Sequence, residues 1–411
     1  MKKLMGLTLG IMTALGGFVD MGQLVFTMQA GALFGYRLLW MIVLGTVTII
    51  IYSEMAGRIA AVKKKAVFTL IRDELGPRLG MVALVSSNAV NLITCAAEIS
   101  GMALLLRLLM GHSYRLWLIV AALVLTAIVW ILRFKWIERL FGLAGLFLLV
   151  YLFSAWKIHE PWALMGMGLV PTMPPAAGGH RLLYAYFAVG LFSAVIMPYE
   201  VSFYSSGAIE EKWTVAHLTS NKIIATFGSS LGALLTIALL VLGKVIFQNH
   251  GIFPDLLSST IFPAAAPYGK KVFYAAAAGA LAAISGAAVE TALSNGYATS
   301  QFFGWKWGRA IADSRAPRFA MLWVGTMAAA LLIALTGIDP LLLVNASIVF
   351  AMVILPLTYL PVLLLASRRS VMGKHANGAF TNVMAWFLFA LIAVAAVAAL
   401  PLMVLTRGGQ P

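Results

Sequence analysis

The sequence predicts an all-α polytopic membrane protein of about eleven helical spans, each near the roughly 20 apolar residues that cross a hydrocarbon core. Two observations predict that class. Of 411 residues, 62% are hydrophobic and only 10% are charged, whereas a soluble domain carries roughly 25% charged residues. Long apolar runs also recur from end to end, with loops too short to hold a sizeable soluble domain. Residues 1–411 therefore read as a single transmembrane unit.

The net charge of +15 would suggest a nucleic-acid partner in a soluble protein. Here its distribution argues for topology, and the partner it implies is a lipid bilayer rather than nucleic acid. With the N-terminus inside and spans alternating, most of the 29 Lys and Arg collect on one side. They include Lys2 and Lys3, the Arg58–Arg78 loop, Arg133 to Arg139, Lys212 and Lys222, Lys306 to Arg318, and Arg368 to Lys374. That bias is the positive-inside pattern. It predicts a multi-pass protein of the cytoplasmic (inner) membrane of a prokaryote, N-terminus cytoplasmic and C-terminus external. Cys95 is the single cysteine and lies in an apolar span, so it carries no information about compartment. The start MKKLMGLTLGIM has no small-residue cleavage site before Asp20 and reads as a retained first helix.

Apolar runs place the spans near 8–30, 37–57, 80–108, 115–132, 139–156, 183–207, 221–246, 272–298, 318–336, 341–366 and 381–403. The basic amphipathic stretch KKKAVFTLIRDELGPR between spans two and three is expected at the cytoplasmic surface. Segments 157–182 and 247–270 read as external loops, the second with room for one short helix.

Two spans, five apart, carry helix breakers. Span one has Gly16, Gly17 and Gly22 around Asp20, in GGFVDMGQ; span six has Pro198 just before Glu200, in AVIMPYE. Glycine lets the backbone open, and proline removes a donor and crowds the preceding turn. Broken helices at membrane depth are tolerated only where the freed backbone lines a cavity or is covered by protein. Interruptions at matching places in two halves point to a site near the midplane. The plain structural alternative is a proline kink and a set of packing glycines.

The polar residues point the same way. Of 14 acidic residues, Asp20, Glu54, Glu98, Glu200 and Glu290 fall inside spans. Each lone carboxylate at the bilayer centre costs roughly 2.5 kcal/mol or more. No comparable set of buried Lys or Arg neutralises them, so a mobile cation must visit or some must stay protonated. Asp20 and Gln23 are three apart, as are Met197 and Glu200; Thr94 and Glu98 are four apart on span three. Glu290, Ser294 and Asn295 add a contribution from span eight. Glu54 has Arg58 four residues on, a spacing suited to a structural ion pair or a gate.

The donors are mostly oxygens. All six histidines lie in loops or at span ends, which leaves a site of carboxylate, amide and carbonyl oxygens suited to Mg²⁺, Mn²⁺ or Ca²⁺ rather than Zn²⁺ or Cu²⁺. Met197 is a soft donor or apolar filler. An intramembrane enzyme would need a nucleophile–base pair or an imidazole metal site inside a span, and no histidine is there. No catalytic residue and no protein cofactor are expected.

The stretch FVDMGQLVFTMQAGALFGYRLLW resembles the first span of the NRAMP divalent-metal transporters. The family's Asp-Pro-Gly-Asn motif maps onto Asp20, Met21, Gly22 and Gln23. Its Met-Pro-His of span six maps onto Met197, Pro198 and Tyr199, with Ala194 where a backbone carbonyl ligand falls and Tyr204 at the second histidine. Its Asp-Leu-Ala-Glu of span three maps onto Cys95, Ala96, Ala97 and Glu98. The resemblance implies a five-plus-five inverted repeat like that of amino-acid transporters, with helices 1 and 6 broken. Residues 8–156 would form the first repeat, 183–366 the second, and 381–403 an additional span.

It also implies alternating-access transport of a divalent cation, Mg²⁺ or Mn²⁺, held by Asp20, Gln23, Glu200, Met197 and the carbonyls of Gly17 and Ala194. Glu98, Glu290, Thr94, Tyr199, Tyr204 and Asn295 would stand behind them or carry protons. The departures are Gln23 for Asn, tyrosines for both histidines, Cys95 for an acid, and an extra Glu200. They resemble the divergent branch that includes magnesium transporters and put the family's symport of protons in doubt. The competing reading is a transporter of an amino acid or organic cation on the same repeat, with Tyr199, Tyr204 and Phe192 around an amine. The oligomeric state is open, and a monomer is compatible with all of this.

Overall fold

The computed structural model describes residues 19–158, 162–174, 180–254, 257–309 and 315–410. Among them every regular element is helical, and ten helical runs are long and apolar enough to cross a membrane. One of these runs, Met21–Lys63, holds the described part of expected span one together with span two. In it α1 (Met21–Phe34), a 3-10 turn at Gly35–Leu38 and α2 (Leu39–Lys63) follow without a loop. At 14 residues α1 is about 21 Å long and cannot cross a core of about 30 Å alone. The expected first half of span one, with Gly16 and Gly17, lies outside the described residues.

The next helices are α3 (Pro77–Met110) and α4 (Tyr114–Ile131). Span five is α5 (Phe134–Gly145), a 3-10 turn, and α6 (Leu149–Lys157). Span six is divided into α7 (His180–Val195) and α8 (Pro198–Glu210). Then come α9 (Leu218–Leu242), α10 (Lys270–Phe303), α11 (Pro317–Leu335), α12 (Pro340–Ser367) and α13 (Ala379–Leu405). Proline opens α3, α8, α11 and α12 at the first turn, where its missing N–H has no partner to lose.

The two 34-residue helices, α3 and α10, form the spine. They run antiparallel: Asn88 meets Thr299, Asn91 meets Asn295, Cys95 meets Ala288 and Met102 meets Ser285. Helix α1 lies against the end of α9 through Gly31 and Gly243. A methyl group on Gly31 would strike the Leu240 carbonyl, and one on Gly243 the Met28 carbonyl. Without a hydrophobic drive between helices in lipid, such backbone-to-backbone approach supplies the packing.

Three of the connections carry short structured pieces. Within the basic stretch after α2, Val67, Phe68, Leu70 and Ile71 are buried in the protein. The short helix Val67–Leu70 is tied down where the Val67 N–H donates to Ser205 Oγ and Thr69 Oγ1 to the Gln301 carbonyl. Segment 157–182 holds a short helix, Trp162–Met167. Segment 247–270 holds the 3-10 turn Leu257–Thr260 and the helix Phe262–Ala265.

Candidate functional site

Asp20 is the N-cap of α1. Its backbone is extended and its Oδ1 accepts the Gln23 N–H at 2.7 Å, which satisfies one of the four donors a helix start leaves open. The neighbouring Met21 N–H donates to Glu98 Oε1 and Oε2 of α3, both at 3.2 Å. Two carboxylates thus sit on the positive end of one helix dipole. Asp20 is 3% exposed and Glu98 1%.

Span six breaks over Ile196 and Met197, where Met197 has φ −55° and ψ 142° and Pro198 starts α8. The carbonyls freed by the break are covered by side chains from two other helices. Gln23 Nε2 of α1 donates to the Ala194 carbonyl at 2.9 Å, and Tyr359 Oη of α12 to the Ile196 carbonyl at 3.1 Å. Two broken ends are therefore joined directly, α1 to α7, by one amide. That bond turns the other half of the amide inward: Gln23 Oε1 is buried with no hydrogen-bond partner among the described residues. Glu200 Oε2, in the first turn of α8, is in the same condition.

The carboxylates converge electrostatically. Asp20 acts on both Glu98 and Glu200, and Glu290 acts on Glu200. Tyr199 feels all four. Met197 is buried beside Tyr199, Val90 and Ala351 and packs against these apolar neighbours. Among the described residues no three His, Cys, Asp or Glu side chains approach closely enough to cage a metal by themselves. A cation here must therefore be held by a mixed set, carboxylate plus amide and backbone oxygen or water. The Ala194 carbonyl accepts from Gln23, and Gly17 lies outside the described residues.

Span eight divides its polar residues between two faces. Asn295 turns to α3 and α11, where Asn91 Nδ2 donates to its Oδ1 and its own Nδ2 donates to the Asn88 carbonyl and Thr326 Oγ1. Glu290 and Ser294 share the other face with Tyr297 and Gln301, which bond Glu210 and Ser206 of α8. Thr94 Oγ1 and Ser294 Oγ are buried without partners among the described residues. Tyr204 stands apart from the breaks. Its hydroxyl donates to Asn221 Oδ1 at 3.0 Å, and Asn221 Nδ2 donates to the Glu54 carbonyl. Glu54 and Arg58 form the expected ion pair at 3.0 Å. The three aromatics of the amine-pocket reading do not converge: Phe192 lies against Gly45 of α2, Tyr204 against Asn221, and Tyr199 beside Met197.

Tyr359, Asn88, Asn91, Asn221 and Asn377 escaped the sequence reading. The asparagines inside spans were a visible signal, since an amide in hydrocarbon needs partners as a carboxylate does. Tyr359 gave none, because only the fold brings α12 to the break.

This geometry defines an integral membrane protein with two interrupted helices that meet at a buried carboxylate–amide cluster. Residues 10–401 match the family model described as natural resistance-associated macrophage protein-like, and the chain belongs to the NRAMP family. It is similar to the divalent metal cation transporter MntH of Levilactobacillus brevis, 22% identical over 404 residues that cover 92% of this chain and 85% of that protein. The MntH of Lacticaseibacillus casei is 27% identical, over 94% of this chain and 86% of that one. Among solved structures, the manganese transporter of Eremococcus coleocola superposes with a TM-score of 0.78 at 19% identity, covering 99% of this chain and 88% of its own. The fold is the five-plus-five inverted repeat that the sequence resemblance implied.

Proposed function

We propose that this chain is a secondary transporter that moves a divalent metal cation, Mg²⁺ or Mn²⁺, across the membrane by alternating access around the two breaks. The observation that carries this reading is the pair of buried, unpartnered oxygens, Gln23 Oε1 and Glu200 Oε2, beside Asp20 at the start of α1. Buried polar groups are almost always bonded, so two open acceptors near three acidic groups fit an ion that comes and goes. The names of the relatives, divalent metal cation transporter and manganese transporter, support the same cargo.

The transported ion is held by Asp20, Gln23 Oε1 and Glu200, with Met197 and the Ala194 and Gly17 backbone at its edge. Hard oxygen donors and the added Glu200 favour Mg²⁺, which keeps several of its waters; Met197 favours Mn²⁺. Glu98, Glu290, Thr94 and Tyr199 orient these ligands or water around them, while Asn295 acts only through the α3 residues it bonds. The repeats run over 8–156 and 183–366, with 381–403 outside the pair. The N-terminus is cytoplasmic and the C-terminus external in a bacterial inner membrane. A negative-inside potential then assists uptake by about 4.6 kcal/mol per divalent ion for each 100 mV.

Proteoliposome uptake of Mg²⁺, Mn²⁺ and Ca²⁺, with an internal pH dye, tests the reading. Asp20→Ala and Glu200→Ala are expected to lower uptake at least about tenfold, since even outer partners of a metal site carry that much. Undiminished uptake in both variants would remove the ligand set. Ion movement without a matching pH change would remove proton coupling.

A further inference from the structure

A hydrogen-bonded chain crosses four elements at the basic end of the molecule. Tyr204 Oη of α8 donates to Asn221 Oδ1 of α9 at 3.0 Å, and Asn221 Nδ2 donates to the Glu54 carbonyl of α2 at 2.8 Å. Glu54 pairs with Arg58 one turn on. Arg58 Nη2 donates to Asn377 Oδ1 at 2.7 Å, and its Nη1 to the His375 carbonyl, both in the link between α12 and α13. Asn377 is itself anchored, its N–H donating to the Ala366 carbonyl at 2.9 Å.

We propose that this Tyr204–Asn221–Glu54–Arg58–Asn377 chain is a latch that holds the second half of broken span six closed at the basic end and must release for the site to open there. Tyr204 is four residues after Glu200, one turn along the same face of α8, so fixing Tyr204 fixes the direction of Glu200. Gly57 is part of the closure, because a methyl group there would collide with Asn221 Oδ1 and the Tyr204 ring.

The latch is built to release. Glu54, Arg58, Lys222, His375, Asn377 and Thr381 line a cavity of about 270 Å³. Water in that cavity can replace the bonds of Arg58 to Glu54 and Asn377 as they break, so release at that end leaves no charged group stranded. A purely structural tie would be sealed away from solvent. The two ends of the chain lie on α8 and on the α12–α13 link, 173 positions apart in the sequence. The latch rests on the alternating-access reading above.

The test uses a thiol reporter, Ser202→Cys at a half-buried position of α8, with Cys95→Ser removing the single native cysteine. The labelling rate of the purified full chain by a polar, charged thiol reagent reads opening without any transport. Asn377→Ala and Tyr204→Phe are each expected to raise that rate about tenfold, the size of one lost hydrogen bond to a charged or buried partner. Asn377→Asp keeps the oxygen that Arg58 uses and is expected to stay within about twofold of the parent. Equal rates in the parent, Asn377→Ala and Tyr204→Phe would overturn the latch. A parent chain that shows no metal uptake in proteoliposomes would instead count against the transport reading, whatever the labelling rates.

Discussion

The Met21 N–H donates to both carboxylate oxygens of Glu98, across 77 positions of sequence and at 3.2 Å each. Glu98 thereby covers the first open donor of α1 while Asp20 covers that of Gln23. One helix start is shared by two acids from different spans, and their mutual repulsion is offset by the dipole and by the bonds they accept. A cation entering beside Asp20 would relieve that repulsion.

Glu98→Ala leaves the Met21 N–H buried and unbonded, and is expected to lower unfolding stability by about 1–3 kcal/mol. Glu98→Gln retains an acceptor and should lose less than half as much. Thermal unfolding in detergent compares them; equal losses would show that the bond to Met21 contributes nothing of its own.

Gln23 and Tyr359 both cover carbonyls at the span-six break, yet only Gln23 has an oxygen left over for an ion. Gln23→Leu should therefore weaken divalent-ion binding at least about tenfold. Tyr359→Phe should cost about 1 kcal/mol of stability and leave affinity within about twofold. Calorimetric titration of Mn²⁺ into the two variants separates the roles, and matched affinities would contradict this division.

Gly31→Ala and Gly243→Ala each force a methyl group into a backbone carbonyl across the α1–α9 contact. Each is expected to destabilise by about 1–3 kcal/mol, as overpacking does. The double variant should be non-additive, because both methyls press on the same interface. Additive losses in thermal unfolding would mean the two glycines act separately.

Asp73 lies outside the spans, in the π turn after Val67–Leu70. Burial pushes its carboxyl up, but hydrogen bonds from Arg72 and Lys65, with their charges, outweigh that and hold it below its ordinary 3.8. A depressed carboxyl stabilises above its unfolded pKa and loses that contribution as pH falls through the folded value. Asp73→Asn should thus lower the melting temperature by the same small amount at pH 7 and pH 5. A loss that shrinks at pH 5 would mean the carboxylate is already being protonated there.

Much of the site was legible in the sequence because charge in hydrocarbon is costly wherever the chain goes. Asp20, Glu98, Glu200 and Glu290 stand out by residue type and depth alone, and Pro198 announces the break before Glu200. Glu54 with Arg58 was readable from spacing, since a helix sets the geometry of a pair four apart. Tyr204 and Asn295 were not assignable to their partners, because their direction depends on which helix lies opposite.

The sequence by itself determined the helical class, the apolar runs, the two interruptions and the acids that had to be neutralised. Each follows from local chemistry: apolar length, breaker residues and the cost of burying charge. Only the tertiary structure decided that Gln23 turns its NH₂ to the Ala194 carbonyl and its oxygen inward, that Glu98 binds the start of α1, and that Arg58 reaches Asn377. Those are contacts between segments far apart in the chain, and their geometry comes from how the helices pack.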